Sequence, residues 1–171
     1  MNNKVTSVYA LCFVKDMGVK VEVQGIKLKH GRGNITLTGN VGELAKDSAV
    51  VAGSLLRNLN NKILDYDYHL HFQYLSLKKD GPSWGLACFI LLCLLTDTKM
   101  KEYCNEGIIA ATGELDLSGM VKPVKYLKEK VEGMIPYVNC KNIFIPFTEE
   151  IISIEGKCIY QVRNITELLV L

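Results

Sequence analysis

The feature that most restricts the fold of this chain is an uncharged apolar run at residues 84–95, WGLACFILLCLL. A membrane-spanning helix needs roughly 20 consecutive apolar residues, so this run is too short to cross a bilayer. A helix that is apolar on every side is instead typical of a protein core. We therefore predict a buried helix over residues 83–96, which the rest of the chain must cover.

Length and composition indicate one domain over residues 1–171. The chain is 49% hydrophobic and 22% charged, a composition that allows a domain of this size to bury most of its apolar surface. The net charge is only +2 and no basic block is present, so we expect neither a nucleic-acid partner nor a membrane partner. Residues 1–16 lack a small-residue cleavage site and resemble a strand rather than a signal peptide, which predicts a cytoplasmic protein.

The cysteines and glycines do not form a recognisable cofactor motif. The six cysteines are Cys12, Cys88, Cys93, Cys104, Cys140 and Cys158. Because none of them forms a C-x-x-C pair, we predict reduced core cysteines rather than disulfides or a metal site. The sequence contains no G-x-x-x-x-G-K-[ST] motif and no G-x-G-x-x-G after a predicted strand, so we expect no nucleotide site in this chain.

Hydrophobic periodicity predicts a mixed α+β domain. Strands at residues 5–14 and 19–28 form an antiparallel pair that turns at residues 16–18. Asn40 and Glu43 have the spacing of a helix N-cap signature, and the following helix is expected to run to about Asn60. Further strands are expected at residues 35–38, 68–75, 107–117, 143–145 and 157–162, with a helix at 125–134 and a last helix or turn from residue 166. Hairpins at the start and crossovers later favour α+β over a doubly wound sheet.

The segment at residues 79–85, KDGPSWG, joins a predicted strand to the apolar helix. Pro82 fixes the backbone before the first helical turn, so the hydroxyl of Ser83 is expected beside free backbone N–H groups at the positive end of the helix dipole. That position suits a nucleophile whose reaction develops an oxyanion. The alternative is that Ser83 only caps the helix, as serines often do.

Histidine is not expected to serve as the base for this serine. GPSWG matches the G-x-S-x-G nucleophile elbow, but that arrangement requires a histidine after the serine. All three histidines, His30, His69 and His71, precede Ser83. A histidine, aspartate, serine order remains formally open, but His69 and His71 also fit ordinary strand positions at a sheet margin.

A lysine at residue 130 interrupts an apolar stripe on a predicted helix. Leu127, Val131 and Met134 form the stripe, and Lys130 occupies the position where the helical period requires another apolar residue, whereas Lys128 points away. Burial disfavours the ammonium form, and lysines that act as general bases have pKa values lowered to about 7 to 8. The alternative is a lysine whose stem lies along the core while its amine reaches solvent.

Several blocks of this sequence resemble the proteolytic domain of the Lon protease family. The serine block is DGPS at residues 80–83, and the lysine block includes ATGELDLSG at residues 111–119 and LKEK at residues 127–130. The similarity continues at LTGNVGE, residues 37–43, and at NIFIP, residues 142–146. Because the blocks occur in the same order over nearly the whole chain, the resemblance is far more specific than G-x-S-x-G alone.

The resemblance implies a Ser-Lys dyad with Ser83 as nucleophile and Lys130 as general base. It also implies that the Thr112 hydroxyl helps to orient the lysine amine and that Asp80 and Glu114 are acidic residues beside the site. From helix geometry we expect the oxyanion and substrate pocket at the start of the helix, at Trp84 and Gly85. The implied fold is the α+β fold shared with domain 2 of ribosomal protein S5, and the implied assembly is a hexameric ring. His69 and His71 fall where the family often has histidines without a settled role.

This sequence departs from the family pattern at the candidate site. Trp84 stands where a small residue is usual, and Lys125-Tyr126 replaces a usual glycine pair. We expect no ATPase module within these 171 residues, so ATP is expected only through an upstream module or a partner, and no metal or other cofactor is expected.

The resulting prediction is a serine endopeptidase that acts on peptides or unfolded proteins through an acyl-enzyme. The alternative is a catalytically silent assembly or regulatory module with the same fold. A third reading, a nucleic-acid binder with the S5-like fold, lacks a basic stripe.

Overall fold

The computed structural model of the chain describes residues 4–74, 76–104 and 106–170. Its strands and α-helices, in chain order, are β1 (Thr6–Val14), β2 (Met17–Lys29), β3 (Ile35–Thr38), α1 (Glu43–Leu59), β4 (Tyr66–Phe72), α2 (Gly85–Leu95), β5 (Ile108–Ala111), β6 (Glu114–Leu115), β7 (Val121–Lys122), α3 (Leu127–Glu132), β8 (Cys140–Pro146) and β9 (Cys158–Val162). Single turns of 3-10 helix lie at Asn61–Asp65, Pro82–Trp84, Glu102–Cys104 and Ile165–Leu168.

Seven strands form one mixed sheet in the order β3-β4-β2-β1-β5-β8-β9. Strands β1, β2 and β4 pair antiparallel, whereas β1-β5, β5-β8, β8-β9 and β3-β4 pair parallel. Strands β6 and β7 form a separate two-stranded antiparallel ribbon. The expected mixture of helices and strands, with an early hairpin and later crossovers, is confirmed.

The first hairpin turns one residue earlier than the sequence pattern suggested. Val14 pairs with Met17, so the turn consists of Lys15 and Asp16 rather than residues 16–18. Both turn residues have positive φ, 48° and 61°, as in a type I′ turn. This turn matches the twist of the two strands, which explains why a two-residue connection replaces the longer one expected at Gly18.

The apolar run forms the centre of the main core, as predicted. Helix α2 is buried along almost its whole length and packs against α1 on one face of the sheet. A second apolar cluster, which includes Val131 and Met134, lies on the opposite face because alternate residues of β1 point to opposite sides. Among the described residues, no helix combines the length and apolarity that crossing a membrane requires.

The α-helical part of the apolar run begins at Gly85, two residues later than predicted, because Pro82–Trp84 forms a 3-10 turn. The strand expected at residues 107–117 is also wrong, since it divides into β5 and β6. Between them, Gly113 N–H donates to the Ser83 carbonyl at 3.0 Å, and Leu86 N–H donates to the Gly113 carbonyl at 3.0 Å. Thr112 N–H still donates to the Phe144 carbonyl of β8 at 3.1 Å, so the chain leaves the sheet at Gly113 to bind the start of α2.

Three other boundaries differ from the sequence prediction. Asn40 is not the N-cap of α1, because Gly42 occupies that position and the Asp80 carboxylate accepts the Leu44 N–H at 3.2 Å. The helix expected at residues 125–134 contains only Leu127–Glu132. Strand β4 extends from Tyr66 to Phe72, and Leu75, where it was expected to end, lies outside the described residues.

The cysteines are free, and five of the six are buried. The exception is Cys158, which is exposed on β9. The prediction that every cysteine belongs to the core is therefore wrong at this position, because β9 is the outermost strand on its side of the sheet.

Candidate active site

A cavity of about 520 Å³ lies between the end of β1, the segment before α2 and the start of α3. Ser83 and Lys130 both line it. The other lining residues are Cys12, Phe13, Val14, Leu77, Lys78, Lys79, Asp80, Gly81, Pro82, Trp84, Glu114, Pro123, Val124, Lys125 and Tyr126. Tertiary folding thus brings the two segments singled out by their sequence pattern to one cavity.

Residues 112–113 fix the backbone of Ser83 by hydrogen bonds to its carbonyl oxygen. Its carbonyl accepts the Gly113 N–H at 3.0 Å and the Thr112 hydroxyl at 3.5 Å. The residue before α2 is Trp84, and no side chain caps that helix. Within the described part of the chain, the Ser83 hydroxyl has no hydrogen-bond partner. The structure therefore does not support the alternative that Ser83 serves as a helix cap.

Lys130 faces inward from α3, as the helical period predicted. The residue is 6% exposed, whereas the side chain of Lys128 is 66% exposed and lies 3.9 Å from the Glu132 carboxylate. Glycine permits the close packing behind Lys130, because a Cβ atom on Gly18 of β2 would lie 1.8 Å from the Glu129 carbonyl oxygen. The prediction that Lys130, and not Lys128, is the buried lysine is confirmed.

The environment of Lys130 disfavours its ammonium form relative to that of an exposed lysine. Burial lowers the pKa of its amine below the usual lysine value, while the Cys12 thiol has a smaller effect in the opposite direction. Among the described residues, no carboxylate forms an ion pair with this amine, and it donates no hydrogen bond to Ser83. Hydrogen bonds between catalytic groups are often long in unbound enzymes, so their separation here is compatible with a dyad.

Two of the residues expected to support the site contact its backbone instead of the lysine. Thr112 is fully buried, and its hydroxyl donates to the Ser83 carbonyl rather than to the Lys130 amine. Asp80 accepts the N–H groups of Gly81 at 2.9 Å and of Leu44 at 3.2 Å. The Gly81 N–H is the main reason that the pKa of the Asp80 carboxyl is lowered. Both residues fix the segment that carries Ser83.

Glu114 is half-buried on β6 and lines the cavity. Gly85 packs against the same strand, since a Cβ atom there would lie 3.1 Å from the Leu115 nitrogen. Of the N–H groups at the start of α2, that of Leu86 is already bonded to Gly113. The Leu86 N–H is therefore not free to bind an oxyanion at this end of the helix.

Trp84 belongs mainly to the core. It is 3% exposed, and its ring contacts Phe72 edge to face at a centroid distance of 5.2 Å and an angle of 71°. Its Nε1 donates a long hydrogen bond of 3.4 Å to the Asp80 carbonyl. Trp84 is among the residues that line the cavity, but it also belongs to the buried apolar core.

The sequence reasoning did not place Lys79 or Cys12 at the cavity, although it predicted correctly that Cys12 is a buried, reduced cysteine. Lys79 is 1% exposed, its pKa is lowered by burial, and its amine donates to the Gly39 carbonyl at 2.8 Å and to the Tyr74 carbonyl. Burial raises the pKa of the Cys12 thiol to about 12, although both Lys130 and Lys79 act to lower it. Lys79 lies in a loop without periodicity, so no pattern could have shown that it points inward.

The histidines lie away from the cavity. Thr38 Oγ1 is 2.9 Å from His69 Nε2 and 2.8 Å from His71 Nδ1. This contact joins β3 to β4, and no histidine is among the residues that line the cavity. Both side chains are thus placed as strand residues and do not face Ser83. Within the described ranges, no group of three or more His, Cys, Asp or Glu side chains could hold a metal ion.

Comparison with known proteins shows extensive similarity to one family. The family model of the Lon protease (S16) C-terminal proteolytic domain matches residues 1–155. A Lon protease of Buchnera aphidicola subsp. Schizaphis graminum is 35% identical over 158 residues, which cover 81% of this chain and 19% of that relative. A Lon protease of Helicobacter pylori is 29% identical over 202 residues, covering 98% of this chain and 23% of the relative.

A eukaryotic relative gives a similar result. The peroxisomal Lon protease homolog 2 of Xenopus laevis is 40% identical over 113 residues, which cover 59% of this chain and 13% of that relative. The chain thus spans between 13% and 23% of the length of these three relatives.

Proposed function

The chain belongs to the Lon protease family as a C-terminal proteolytic domain, and on that basis we propose that it is a cytoplasmic serine endopeptidase with a Ser83-Lys130 dyad. Its substrates are peptides or unfolded protein segments. Nothing in the proposed chemistry requires a metal or an organic cofactor.

One observation carries the proposal: Ser83 and Lys130 line the same cavity, and the lysine amine there is buried without a carboxylate partner among the described residues. A buried lysine without a counter-charge is costly in its ammonium form. The neutral form is a competent general base, and a serine at the start of a helix is a suitable nucleophile. A structural role for Lys130 would be served better by an apolar residue at that position on the stripe.

In the proposed mechanism the neutral Lys130 amine removes the proton of the Ser83 hydroxyl as its oxygen attacks the substrate carbonyl carbon. The resulting ammonium gives that proton to the leaving amine, the peptide bond breaks and an acyl-enzyme remains. Water then attacks the ester, again with Lys130 as base, and releases the acid and free Ser83. Backbone N–H groups near Trp84 and Gly85 would stabilise the oxyanion in both steps.

The remaining site residues have supporting roles in this proposal. Thr112 holds the carbonyl of Ser83 through a 3.5 Å hydrogen bond. We propose that its hydroxyl orients the Lys130 amine once substrate fills the cavity. Asp80 keeps the serine segment against α1 through its bonds to Gly81 and Leu44. Glu114 lies at the cavity wall, where it would meet the substrate rather than the dyad.

Family membership also supports two proposals about architecture. We assign the domain to the fold of ribosomal protein S5 domain 2, and we propose that it assembles as a homohexamer. ATP would act only through an ATPase module that lies upstream or on a partner. Size-exclusion chromatography with light scattering would test the assembly, for which a monomer at all protein concentrations is the contrary result.

The dyad is tested by hydrolysis of casein and of a fluorogenic peptide by three variants. Ser83→Ala should abolish cleavage, and Lys130→Met should lower kcat by about 10²- to 10⁴-fold, the usual contribution of a general base. Lys128→Met is the matched control on the same helix and should retain activity, because its side chain is exposed. Activity that survives Ser83→Ala would contradict the proposal, and a parent protein without serine-dependent cleavage would favour the silent module.

A further inference from the structure

Tyr126 adopts a backbone conformation that glycine would adopt more easily. Its φ and ψ are 56° and 39°, in the left-handed region, where a bulky side chain is strained. The residue directly precedes α3, and its carbonyl accepts the Lys130 N–H at 2.9 Å. Glycine would meet this backbone requirement at lower cost, so the function of the ring must be sought in what the ring contacts.

The ring of Tyr126 stacks on Phe13, at the end of β1. The two ring centroids are 4.1 Å apart, and the interplanar angle is 14°. Phe13 is half-buried, whereas Tyr126 is 53% exposed, so the stack has one face fixed to the sheet and one toward solvent. This contact holds the tyrosine ring in place despite its strained backbone.

The stack also stands at a boundary between two cavities. Phe13 and Tyr126 both line the cavity that contains Ser83 and Lys130. Tyr126 in addition lines a second cavity of about 490 Å³, which extends from the start of α3 to residues 146–150. Pro123 and Val124 are the other residues that line both cavities, so Tyr126 has the largest side chain of the residues that the two cavities share.

We propose that Tyr126 is a specificity-determining residue, whose ring forms a wall that admits compact substrate side chains beside the scissile bond and excludes bulky ones. This proposal rests on the proposed peptidase function, because the wall faces the cavity of the dyad. Removing the ring would join the two cavities and give a large side chain space to extend past α3.

The test compares Tyr126→Gly with Tyr74→Gly, a closely matched control. Tyr74 has a φ of 63° and is 55% exposed, but it does not line either cavity. Both substitutions therefore remove an exposed tyrosine and place glycine at a residue with left-handed backbone conformation. Only Tyr126→Gly removes a ring that lines the two cavities. Tyr126→Phe keeps the ring and controls for loss of the hydroxyl.

The measurement is kcat/KM for pairs of fluorogenic peptides that differ only at one residue next to the cleaved bond, alanine or tryptophan. Tyr126→Gly should raise the tryptophan-to-alanine ratio about tenfold, a typical discrimination by pocket size. Tyr126→Phe and Tyr74→Gly should leave the ratio unchanged. If Tyr126→Gly melts like the parent and keeps the parent ratio, Tyr126 is not a selecting wall.

Binding separates this proposal from the proposed function. In a Ser83→Ala background, fluorescence polarisation of the labelled peptides measures affinity without hydrolysis. Tyr126→Gly should tighten binding of the tryptophan peptide relative to the alanine peptide, even if the parent does not cleave. Equal changes in affinity for both peptides would contradict the proposal that Tyr126 selects by size. A selective change in affinity without any serine-dependent cleavage would contradict only the proposed peptidase function. If Tyr126→Gly does not fold, Phe13→Ala removes the other half of the stack and should change the ratio in the same direction.

Discussion

Replacement of Trp84 by alanine distinguishes a core residue from a substrate contact at the position next to the nucleophile. The indole is 3% exposed, so the substitution removes a large side chain from a packed interior. Truncation of a buried tryptophan to alanine typically costs about 3 to 5 kcal/mol. The edge-to-face contact with Phe72 contributes about 0.5 to 1.5 kcal/mol of such a loss, and the 3.4 Å hydrogen bond to Asp80 adds little.

The expected result is a large fall in thermal stability. For a domain of this length, each kcal/mol changes the melting temperature by about 2 to 4 °C, so Trp84→Ala should melt about 6 to 20 °C below the parent. Differential scanning calorimetry gives this value directly. Trp84→Phe is the control, because it keeps an aromatic ring against Phe72. Its melting temperature should fall by less than half as much as that of Trp84→Ala.

The result that would refute this reasoning is a Trp84→Ala protein that melts within about 3 °C of the parent, well below the loss expected for a core truncation. Such a protein, if it also cut a peptide library at new sites, would show that the indole acts on substrate. With the structural placement of Trp84, a changed cleavage pattern is expected only as a secondary effect of loosened packing beside Ser83.

Three further predictions concern Lys130 and Tyr68. Burial lowers the pKa of Lys130 below 10.5, and the neutral amine becomes more abundant as pH rises. We therefore expect kcat/KM to increase with pH through one ionisation whose pKa is below 10.5. A kcat/KM profile that is flat down to about pH 6 would contradict a lysine base. The same burial destabilises the folded state while the amine is charged, and this destabilisation becomes smaller as pH rises through the pKa of Lys130 in the folded state. Lys130→Met removes the charged group, so it should raise the free energy of unfolding more at low pH than at pH above 10.5. Urea unfolding at several pH values measures this difference. The Tyr68 hydroxyl is buried without a hydrogen-bond partner among the described residues. Tyr68→Phe should therefore raise the free energy of unfolding by about 1 kcal/mol. A decrease of about 1 kcal/mol would instead show that the hydroxyl has a hydrogen-bond partner.

The sequence predicted the parts of this domain that depend on local periodicity. The apolar run had to form a buried helix, and the stripe that includes Val131 required Lys130 to face the interior, because a helix of period 3.6 fixes which residues share a face. Neither prediction requires knowledge of the neighbouring elements. Ordered blocks of family resemblance then linked Ser83 and Lys130, although they are far apart in the chain.

Contacts between distant segments decided the rest. The strand predicted at residues 107–117 breaks because Gly113 bonds to the start of α2, and Asp80, not Asn40, binds the start of α1. Local pattern cannot show that a backbone group finds a better partner elsewhere in the chain. For the same reason, the burial of Lys79 and the stack of Tyr126 on Phe13 became evident only in three dimensions, since each depends on an element that folds against it from a remote part of the sequence.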